Sequence, residues 1–403
     1  MTAQGATAPL AIPPPAVKAR PGRHALLRWR TMVRVGLRMM VHDKLKMIGT
    51  LVGVVFAVLL SNQQAGTLMG LLKKNTMFIE SSQADIWVVP PNTEQLAPGK
   101  FIPEAIAVQA RGIAGVAWAE PLLFGGGQVA VPGGSSEAVT VIGTKLPGLR
   151  GGPWNMVSGT PEVLRNDDTM IFEDGVRDTL GGLNLGSVRE VNGRNVQVGG
   201  FTWGLLPFGP AYAFADYDLA RLLLKVESDR TNFILIGVTP GQSVTAVRDA
   251  LQARFTDVQM VTTADFTKRT LRYLLVKSAL GVTFGTSTAF GLIVGFVIVA
   301  LTTFSAVLDN IREFGTLKAI GATNWDLAKL LFAQSIAYAL LGSLIGLTLV
   351  TRVADGIRSP KFAIIITPTL AVGTTLMMIV LCIVASSFAL IRLRKLEPAM
   401  VFR

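Results

Sequence analysis

Side chains that could perform catalysis or bind a metal are scarce in this sequence. Its 403 residues include two histidines, His24 and His42, and one cysteine, Cys382. Both histidines lie beside basic residues and precede the first long apolar segment, so a Ser–His–Asp triad has no histidine near the acidic residues further along. We therefore expect no metal site and no hydrolytic site. A lone cysteine also permits no intrachain disulfide.

A nucleotide-binding motif is also missing. The segment Gly281-Val-Thr-Phe-Gly-Thr-Ser has the glycines of a phosphate-binding loop but lacks its lysine, and it lies in an apolar segment. We therefore expect no ATP binding by that mechanism and no cofactor bound by this chain. The apolar segments contain no charged residue, which argues against an ion channel or a proton-coupled transporter.

The composition indicates a membrane protein. Only 16% of the residues are charged and 50% are hydrophobic, whereas soluble domains carry about 25% charged residues. A net charge of +12 could indicate nucleic-acid binding. The cations gather at the ends of apolar segments, however, which is the pattern that orients membrane proteins. We expect contact with a lipid bilayer and no nucleic-acid partner.

Four uncharged windows are long enough to cross a bilayer, which needs about 20 residues. They are Met47–Leu72, Ser278–Leu308, Leu330–Thr351 and Phe362–Ile391. We expect the first span to continue as a helical stalk, giving residues 47–81 together, and a second stalk and span over 263–308. The third and fourth spans cover 330–351 and 362–391. A cleaved signal peptide is the alternative for the first window, but its apolar stretch exceeds the about 7–15 residues of such a signal.

The regions before the first span and after the last are both basic. Residues 1–22 have the composition of a disordered segment, and residues 23–46 predict an amphipathic helix at the membrane surface or a basic segment that only orients the first span. Residues 392–403 form a basic tail. Four spans place both termini on one side, which the cations assign to the cytoplasm of an inner (plasma) membrane. The short outer loop 352–361 is itself basic and mildly opposes this orientation.

Residues 82–262 would then form an extracytoplasmic domain. Alternating apolar patterns and turn residues predict strands over 84–89, 138–143, 169–172, 187–191, 195–198, 232–238 and 258–262, with helices over 104–112 and 244–255. Strands over 116–124 and 128–131 flank an expected glycine turn at 125–127, and Asn192-Gly predicts a hairpin. The fold class is thus an α-helical membrane protein with four transmembrane helices and a large α/β domain between the first and second, including a β-rich insertion at about 150–225.

The charged segment 309–329, which we call the elbow, connects the second and third spans on the cytoplasmic side. Residues 310–320 predict a short amphipathic helix, and Gly321-Ala-Thr-Asn ends that helix and begins another. An exposed helix held between two spans suits a partner protein that pushes on it.

The elbow sequence Arg312-Glu-Phe-Gly-Thr-Leu-Lys-Ala-Ile-Gly-Ala-Thr resembles the REIGxLRAIGA signature of MacB/FtsX-type ABC transporter permeases. Phe314 and Lys318 stand where isoleucine and arginine are common. Ala84-Asp-Ile-Trp-Val is similar to an element of DevC-type members, and residues 36–60 and 393–403 resemble the family's first-span entry and closing motif.

The resemblance implies a type VII permease that works as a homodimer with two copies of a separate ATPase subunit, which binds ATP and Mg. Movement of the extracytoplasmic domain would extrude substrate toward a membrane fusion protein and an outer-membrane duct. The alternative is an FtsX-like signalling module that controls an extracytoplasmic hydrolase, although such members have a smaller outer domain. The candidate ATPase contacts are Arg312, Glu313, Gly315, Lys318, Gly321 and Trp325, and their alternative is a solvated loop face.

Two further sets of residues are candidates for contacts. The glycines of the second span recur with small-xxx-small spacing, which permits close helix packing within or between protomers; they are Gly281, Gly285, Gly291 and Gly295. On the first stalk, Leu68, Met69 and Phe78 could meet an apolar substrate or pack against a second stalk. Asp85 and Trp87 fit either domain packing or a contact site.

Overall fold

The computed structural model describes residues 21–207, 209–357 and 364–394. The predicted disordered segment, the basic tail and part of the outer loop lie outside these ranges, apart from residues 21–22 and 392–394. The helices, numbered in chain order, are α1 Pro21–His42, α2 Lys44–Ser81, α3 Ala105–Ala110, α4 Tyr217–Leu224, α5 Val244–Arg254, α6 Thr263–Arg272, α7 Ala279–Asp309, α8 Ile311–Ala319, α9 Asn324–Ile357 and α10 Pro368–Arg394.

Among the described residues, four helices are long and apolar enough to cross a membrane. They are Lys44–Ser81, Ala279–Asp309, Asn324–Ile357 and Pro368–Ile391. The four predicted spans are therefore confirmed. The first span and its stalk form one continuous helix, α2, which is 38 residues long.

The described chain divides into two compact units, of which the first comprises residues 21–56, 294–344 and 375–394. Glycines bring its helices into close contact. A Cβ at Gly53 of α2 would lie 2.2 Å from Ile298 Cγ2 of α7, and one at Gly342 of α9 would lie 2.3 Å from Val54 Cγ1. Ser335 of α9 and Ser386 of α10 share a buried hydrogen bond. Small residues at such positions let membrane helices approach closely.

The second unit comprises Ala57–Ile293 and Ile345–Thr374 and contains the globular domain, residues 82–262. The strands, numbered in chain order, are β1 Ile86–Val89, β2 Ile102–Pro103, β3 Val116–Val131, β4 Ser135–Thr144, β5 Met156–Ser158, β6 Thr169–Glu173, β7 Val188–Val191, β8 Arg194–Thr202, β9 Ala211–Asp216, β10 Arg230–Thr231, β11 Phe233–Val238 and β12 Gln259–Thr262. Ten of them form one sheet in the order β12-β1-β11-β3-β4-β9-β6-β8-β5, with β7 pairing β3 and β8. Most pairs are antiparallel, whereas β4–β9 and β6–β8 are parallel.

One expectation about this domain is wrong. The run Gly125-Gly-Gly is not a turn, because β3 continues through it for 16 residues. A Cβ at Gly125 would lie 2.6 Å from Leu224 Cδ2, so glycine there lets α4 pack on the sheet. The actual turn follows at Gly133 and Gly134, whose φ angles are 106° and 86°. Within the predicted β-rich insertion at about 150–225, the strands β5, β6, β8 and β9 belong to the same sheet as the rest of the domain.

The predicted hairpin is confirmed. Asn192 and Gly193 have φ angles of 50° and 87°, and Val191 pairs with Arg194 across the turn. Positive φ at both central residues is what a two-residue hairpin turn requires.

Candidate functional site

The elbow contains a short helix with a well-defined end. The helix α8 covers Ile311–Ala319, as the sequence predicts, and Gly321 follows with a φ angle of 101°. The Gly321 N–H donates to the Lys318 carbonyl at 3.0 Å, and the Ala322 N–H donates to the Leu317 carbonyl at 2.9 Å. This pair of hydrogen bonds is the Schellman arrangement, which satisfies the last carbonyls of a helix.

The next helix, α9, begins with a reciprocal cap. The Asp326 N–H donates to Thr323 Oγ1 at 3.2 Å, and the Thr323 N–H donates to Asp326 Oδ2 at 3.2 Å. Lys329 forms an ion pair with Asp326 Oδ1 at 3.1 Å. Such a capping box satisfies two free N–H groups at a helix start. The turn between α8 and α9 is therefore fixed at both ends.

One face of the elbow is buried against the membrane helices. Phe314 is 2% exposed and belongs to an apolar cluster with Val307, Leu327, Leu330, Leu331 and Leu390. At the other end of α8, Lys46 Nζ lies 2.7 Å from Asp309 Oδ2 and 2.6 Å from Asp43 Oδ2. The hydrogen bond from Lys46 lowers the pKa of Asp43. The elbow thus has a packed apolar base and a charged anchor.

The opposite face carries two exposed apolar side chains. Ile320 is 80% exposed and Trp325 is 70% exposed, and Arg312 and Glu313 on α8 are also exposed. Large apolar side chains placed in solvent on a fixed turn are typical of an interaction site, where aromatic and arginine residues contribute most to binding. We call Arg312, Glu313, Ile320 and Trp325 the elbow tip.

The structure distinguishes among the six predicted contact residues. Arg312, Glu313, Gly321 and Trp325 are exposed, Lys318 is half-buried, and Gly315 is buried beside Phe314. Gly315 is therefore covered in this structure, and its proposed contact stays a prediction. Ile320 is not among the predicted contact residues, although its place directly before the helix-ending glycine was the available signal. The proposed contact with an ATPase stays a prediction for the exposed residues.

On the first stalk, Phe78 is a core residue. Its side chain is 0% exposed, and its ring centroid lies 5.5 Å from that of Tyr212 and 5.9 Å from that of Trp154. Trp87 and Phe124 complete this aromatic cluster at 6.2 and 6.1 Å. In this structure Phe78 therefore packs inside the domain, and no surface of its side chain reaches solvent.

The other two stalk candidates differ from Phe78. Leu68 is half-buried and Met69 is 43% exposed, so both remain accessible. Trp87 is 0% exposed, and the Asp85 carboxylate accepts the Val238 N–H at 2.8 Å. Domain packing thus explains the last two residues.

The glycines of the second span play different roles. Gly291 and Gly295 are buried, whereas Gly285 is exposed. A Cβ at Gly291 would lie 3.3 Å from Ser61 Oγ of α2, and one at Gly285 would meet nothing within 4 Å. Gly291 therefore serves packing within the chain. At Gly281 a Cβ would lie 1.9 Å from the Leu275 carbonyl oxygen, so this glycine permits the close approach of the preceding segment.

The second stalk is interrupted before the second span begins. A π-helical turn covers Tyr273–Lys277 between α6 and α7, and Ser278 then adopts an extended conformation with φ −89° and ψ 156°. The Ser278 N–H donates to the Tyr273 carbonyl at 2.9 Å. Breaks of this kind often mark hinges or functional sites in helices. The two stalks thus differ, because α2 has no such interruption.

A buried carboxylate, Glu173, anchors a loop of the globular domain. Its side chain is 0% exposed, and it accepts hydrogen bonds from Thr202 Oγ1 at 2.8 Å, from the Gly204 N–H at 2.6 Å and from the Leu205 N–H at 3.2 Å. Burial raises the pKa of Glu173, although these hydrogen bonds and the nearby Lys74 oppose the shift. Within the described residues, no group of three or more His, Cys, Asp and Glu side chains could hold a metal ion.

Comparisons with known families match most of the chain. The family model of the MacB-like periplasmic core domain matches residues 45–254, and that of the FtsX-like permease C-terminal domain matches residues 285–398. The comparison with curated proteins gives no match.

The globular domain is similar to solved structures of low sequence identity. The periplasmic region of MacB from Actinobacillus actinomycetemcomitans is 11% identical, with a TM-score of 0.37, and the match covers 46% of this chain and 93% of that one. The extracellular domain of the noncanonic ABC-type transporter YknZ from Gram-positive bacteria is 12% identical, with a TM-score of 0.34, and the match covers 44% of this chain and 98% of that one.

Proposed function

This chain belongs to the MacB/FtsX-type permease family, and from that premise we propose that it is the permease subunit of an export-type ABC transporter. A separate ATPase subunit, present in two copies, would hydrolyse MgATP and push on the elbow tip. The chain would act as a homodimer in the inner (plasma) membrane with both termini in the cytoplasm. Movement of its extracytoplasmic domain would drive substrate toward a membrane fusion protein and an outer-membrane duct.

The observation that carries this proposal is the contrast between the two faces of the elbow. Phe314 is 2% exposed on the inner face, whereas Ile320 and Trp325 are 80% and 70% exposed on the outer face. A force applied to the elbow tip would therefore reach the membrane helices through a packed base instead of bending a loose loop. Cores at native packing density transmit strain because they have few voids to absorb it.

The distribution of charge supports coupling by movement instead of passage through the spans. The uncharged windows 47–72, 278–308, 330–351 and 362–391 contain no Asp, Glu, Lys or Arg, so a polar conduit between the helices has no ionisable lining. Polar or ionisable residues within spans are the usual mark of an ion or solute path. The proposed substrate would be moved by the extracytoplasmic domain.

The test is binding and stimulation of the partner ATPase by the full-length chain in lipid nanodiscs. Trp325→Ala should weaken ATPase binding about 30-fold, the effect of losing an interface residue worth about 2 kcal/mol. Glu313→Lys combined with Gly321→Pro should abolish stimulation of ATP hydrolysis. The matched control is Trp203→Ala, since Trp203 is 45% exposed on the globular domain and should leave binding unchanged.

Melting temperatures of the variants separate a binding defect from misfolding. Because Trp325 is mostly exposed, its truncation should leave the melting temperature of the protein unchanged. If Trp325→Ala and the Glu313/Gly321 variant both bind and stimulate the ATPase as the unmodified protein does, the elbow is not the coupling site. The signalling alternative predicts a different result. In that case the unmodified protein exports no cargo, and the coupling variants abolish activation of an extracytoplasmic hydrolase.

A further inference from the structure

A basic groove lies at the interruption of the second stalk. Its volume is about 470 Å³, within the about 300–1,000 Å³ range of small-ligand sites. One side comes from the loop after β1, the other from α6 and the π-helical turn, and β12 contributes the floor. The lining residues are Asn92, Thr93, Glu94, Gln259, Arg269, Arg272, Tyr273, Val276 and Lys277.

The groove holds three cations and one carboxylate, so it carries a net positive charge. Lys277 forms an ion pair with Glu94, and the Arg269 guanidinium donates to Gln259 Oε1 at 3.2 Å. Arg272 is exposed and has no hydrogen-bond or ion-pair partner among the described residues. An anion in the groove would therefore find one free guanidinium and a second cation, Arg269, that has only a neutral partner.

The groove lies close to the point where the chain enters the membrane. Arg272 is seven positions before Ala279, the first residue of α7, which is one of the helices long and apolar enough to cross a membrane. Val276 and Leu275 are 68% and 43% exposed between these cations, and Tyr273 has the amphipathic ring that favours the membrane interface. Cations, an interfacial tyrosine and exposed aliphatic side chains at this depth match the chemistry of a lipid headgroup and the start of its acyl chains.

The side of the membrane also matters. The groove belongs to the extracytoplasmic part of the chain, where Lys and Arg next to a span run against the usual distribution. Lys268 adds another exposed cation to the same stretch. A bound anion would offset this accumulation of positive charge. A small anion in water would make no use of the exposed apolar side chains, whereas a lipid would cover them with its acyl chain.

We propose that the groove binds the headgroup of an anionic phospholipid of the outer leaflet, with the phosphate between Arg269 and Arg272 and an acyl chain along Val276. This inference goes beyond the proposed function, since it concerns a lipid partner and not the ATPase or the cargo. The headgroup would bridge the loop after β1 and the interrupted stalk, and its phosphate would compete with Glu94 for Lys277. The lipid would thereby hold the interruption against the globular domain.

The experiment counts lipids bound to the full-length protein by native mass spectrometry. The protein is released from nanodiscs that contain phosphatidylglycerol and phosphatidylcholine with identical acyl chains, and each lipid is titrated. We expect one tightly bound phosphatidylglycerol per chain beyond the number of phosphatidylcholines. In Arg269→Gln/Arg272→Gln this lipid should bind about 30-fold more weakly, because each of the two cations near a membrane surface contributes about fivefold.

The control is Arg254→Gln/Lys100→Gln, which removes the same charge from exposed positions of the same domain and should keep the extra phosphatidylglycerol. Equal retention of both lipids by the unmodified protein would overturn the proposal, as would an unchanged lipid count in Arg269→Gln/Arg272→Gln. Displacement of the lipid by millimolar inorganic phosphate would show a site for free anions. Binding of neither lipid would leave the groove to an acidic protein partner. Both results overturn the lipid assignment. Because ATPase binding is measured separately at the elbow tip, the two proposals fail independently.

Discussion

Replacing Phe78 by alanine tests whether the first stalk is rooted in the core of the globular domain. The ring is fully buried and lies within 6.2 Å, centroid to centroid, of four aromatic rings. Phe→Ala substitutions at such positions cost about 3–5 kcal/mol of unfolding free energy. For a domain of this size, each kcal/mol lowers the melting temperature by about 2–4 °C, so we expect a decrease of about 6–20 °C.

The assay is thermal unfolding of the full-length protein in detergent, followed by tryptophan fluorescence. Trp87 and Trp154 both contact the Phe78 ring, so their emission reports the loss of this cluster directly. The matched control is Met69→Ala on the same helix. Met69 is 43% exposed, and its truncation should change the unfolding free energy by less than about 0.5 kcal/mol.

A different pattern would refute the assignment of Phe78 to the core. If Phe78→Ala melts at the temperature of the unmodified protein but fails in export, the side chain contacts substrate and is not part of the folded core. A similar decrease in Phe78→Ala and Met69→Ala would mean that the whole stalk, and not this aromatic cluster, determines the melting temperature.

Two further predictions concern a turn and a pH dependence. Gly321→Ala forces a side chain into a φ angle of 101° and should lower the unfolding free energy by about 1 kcal/mol. Gly373→Ala is the control, because nothing lies within 4 Å of the added Cβ, and it should leave the unfolding free energy unchanged. Differential scanning fluorimetry of both variants measures the difference. Burial raises the pKa of Glu173 above its usual value of 4.5, so the folded state binds the proton more tightly and its stability should fall as the pH rises through the raised pKa. The melting temperature of the unmodified protein should therefore decrease between acidic and neutral pH, and this decrease should be smaller in Glu173→Gln. An identical dependence of the melting temperature on pH in both proteins would contradict the assignment.

Local signals were enough to predict the elbow. The helix of residues 310–320, its end at Gly321 and the new start at Asn324 follow from side-chain preferences that act within one turn of chain, and the structure has them at α8 and α9. The Asn192-Gly hairpin was predictable for the same reason. The four spans were predictable because a bilayer requires a minimum length of uncharged chain.

Features set by distant contacts were not predictable. The glycines at 125–127 look like a turn locally, but β3 passes through them because α4, almost a hundred residues later, needs space against the sheet. Strand β9 lies beside β4 in a parallel pair, and no local pattern marks such a pairing. Phe78 likewise belongs to an apolar stalk pattern, and only the fold places it among Trp87, Tyr212 and Trp154.

The two stalks differ in their continuity. From Ala57 onward α2 is unbroken to Ser81, and Phe78 fixes its end in the aromatic cluster. The second stalk changes from α-helix to π-helical turn to extended chain at Ser278 before α7 begins. One stalk is thus a continuous helix and the other is interrupted, and Lys277, which lies within the interruption, is tied to the loop after β1 by its ion pair with Glu94.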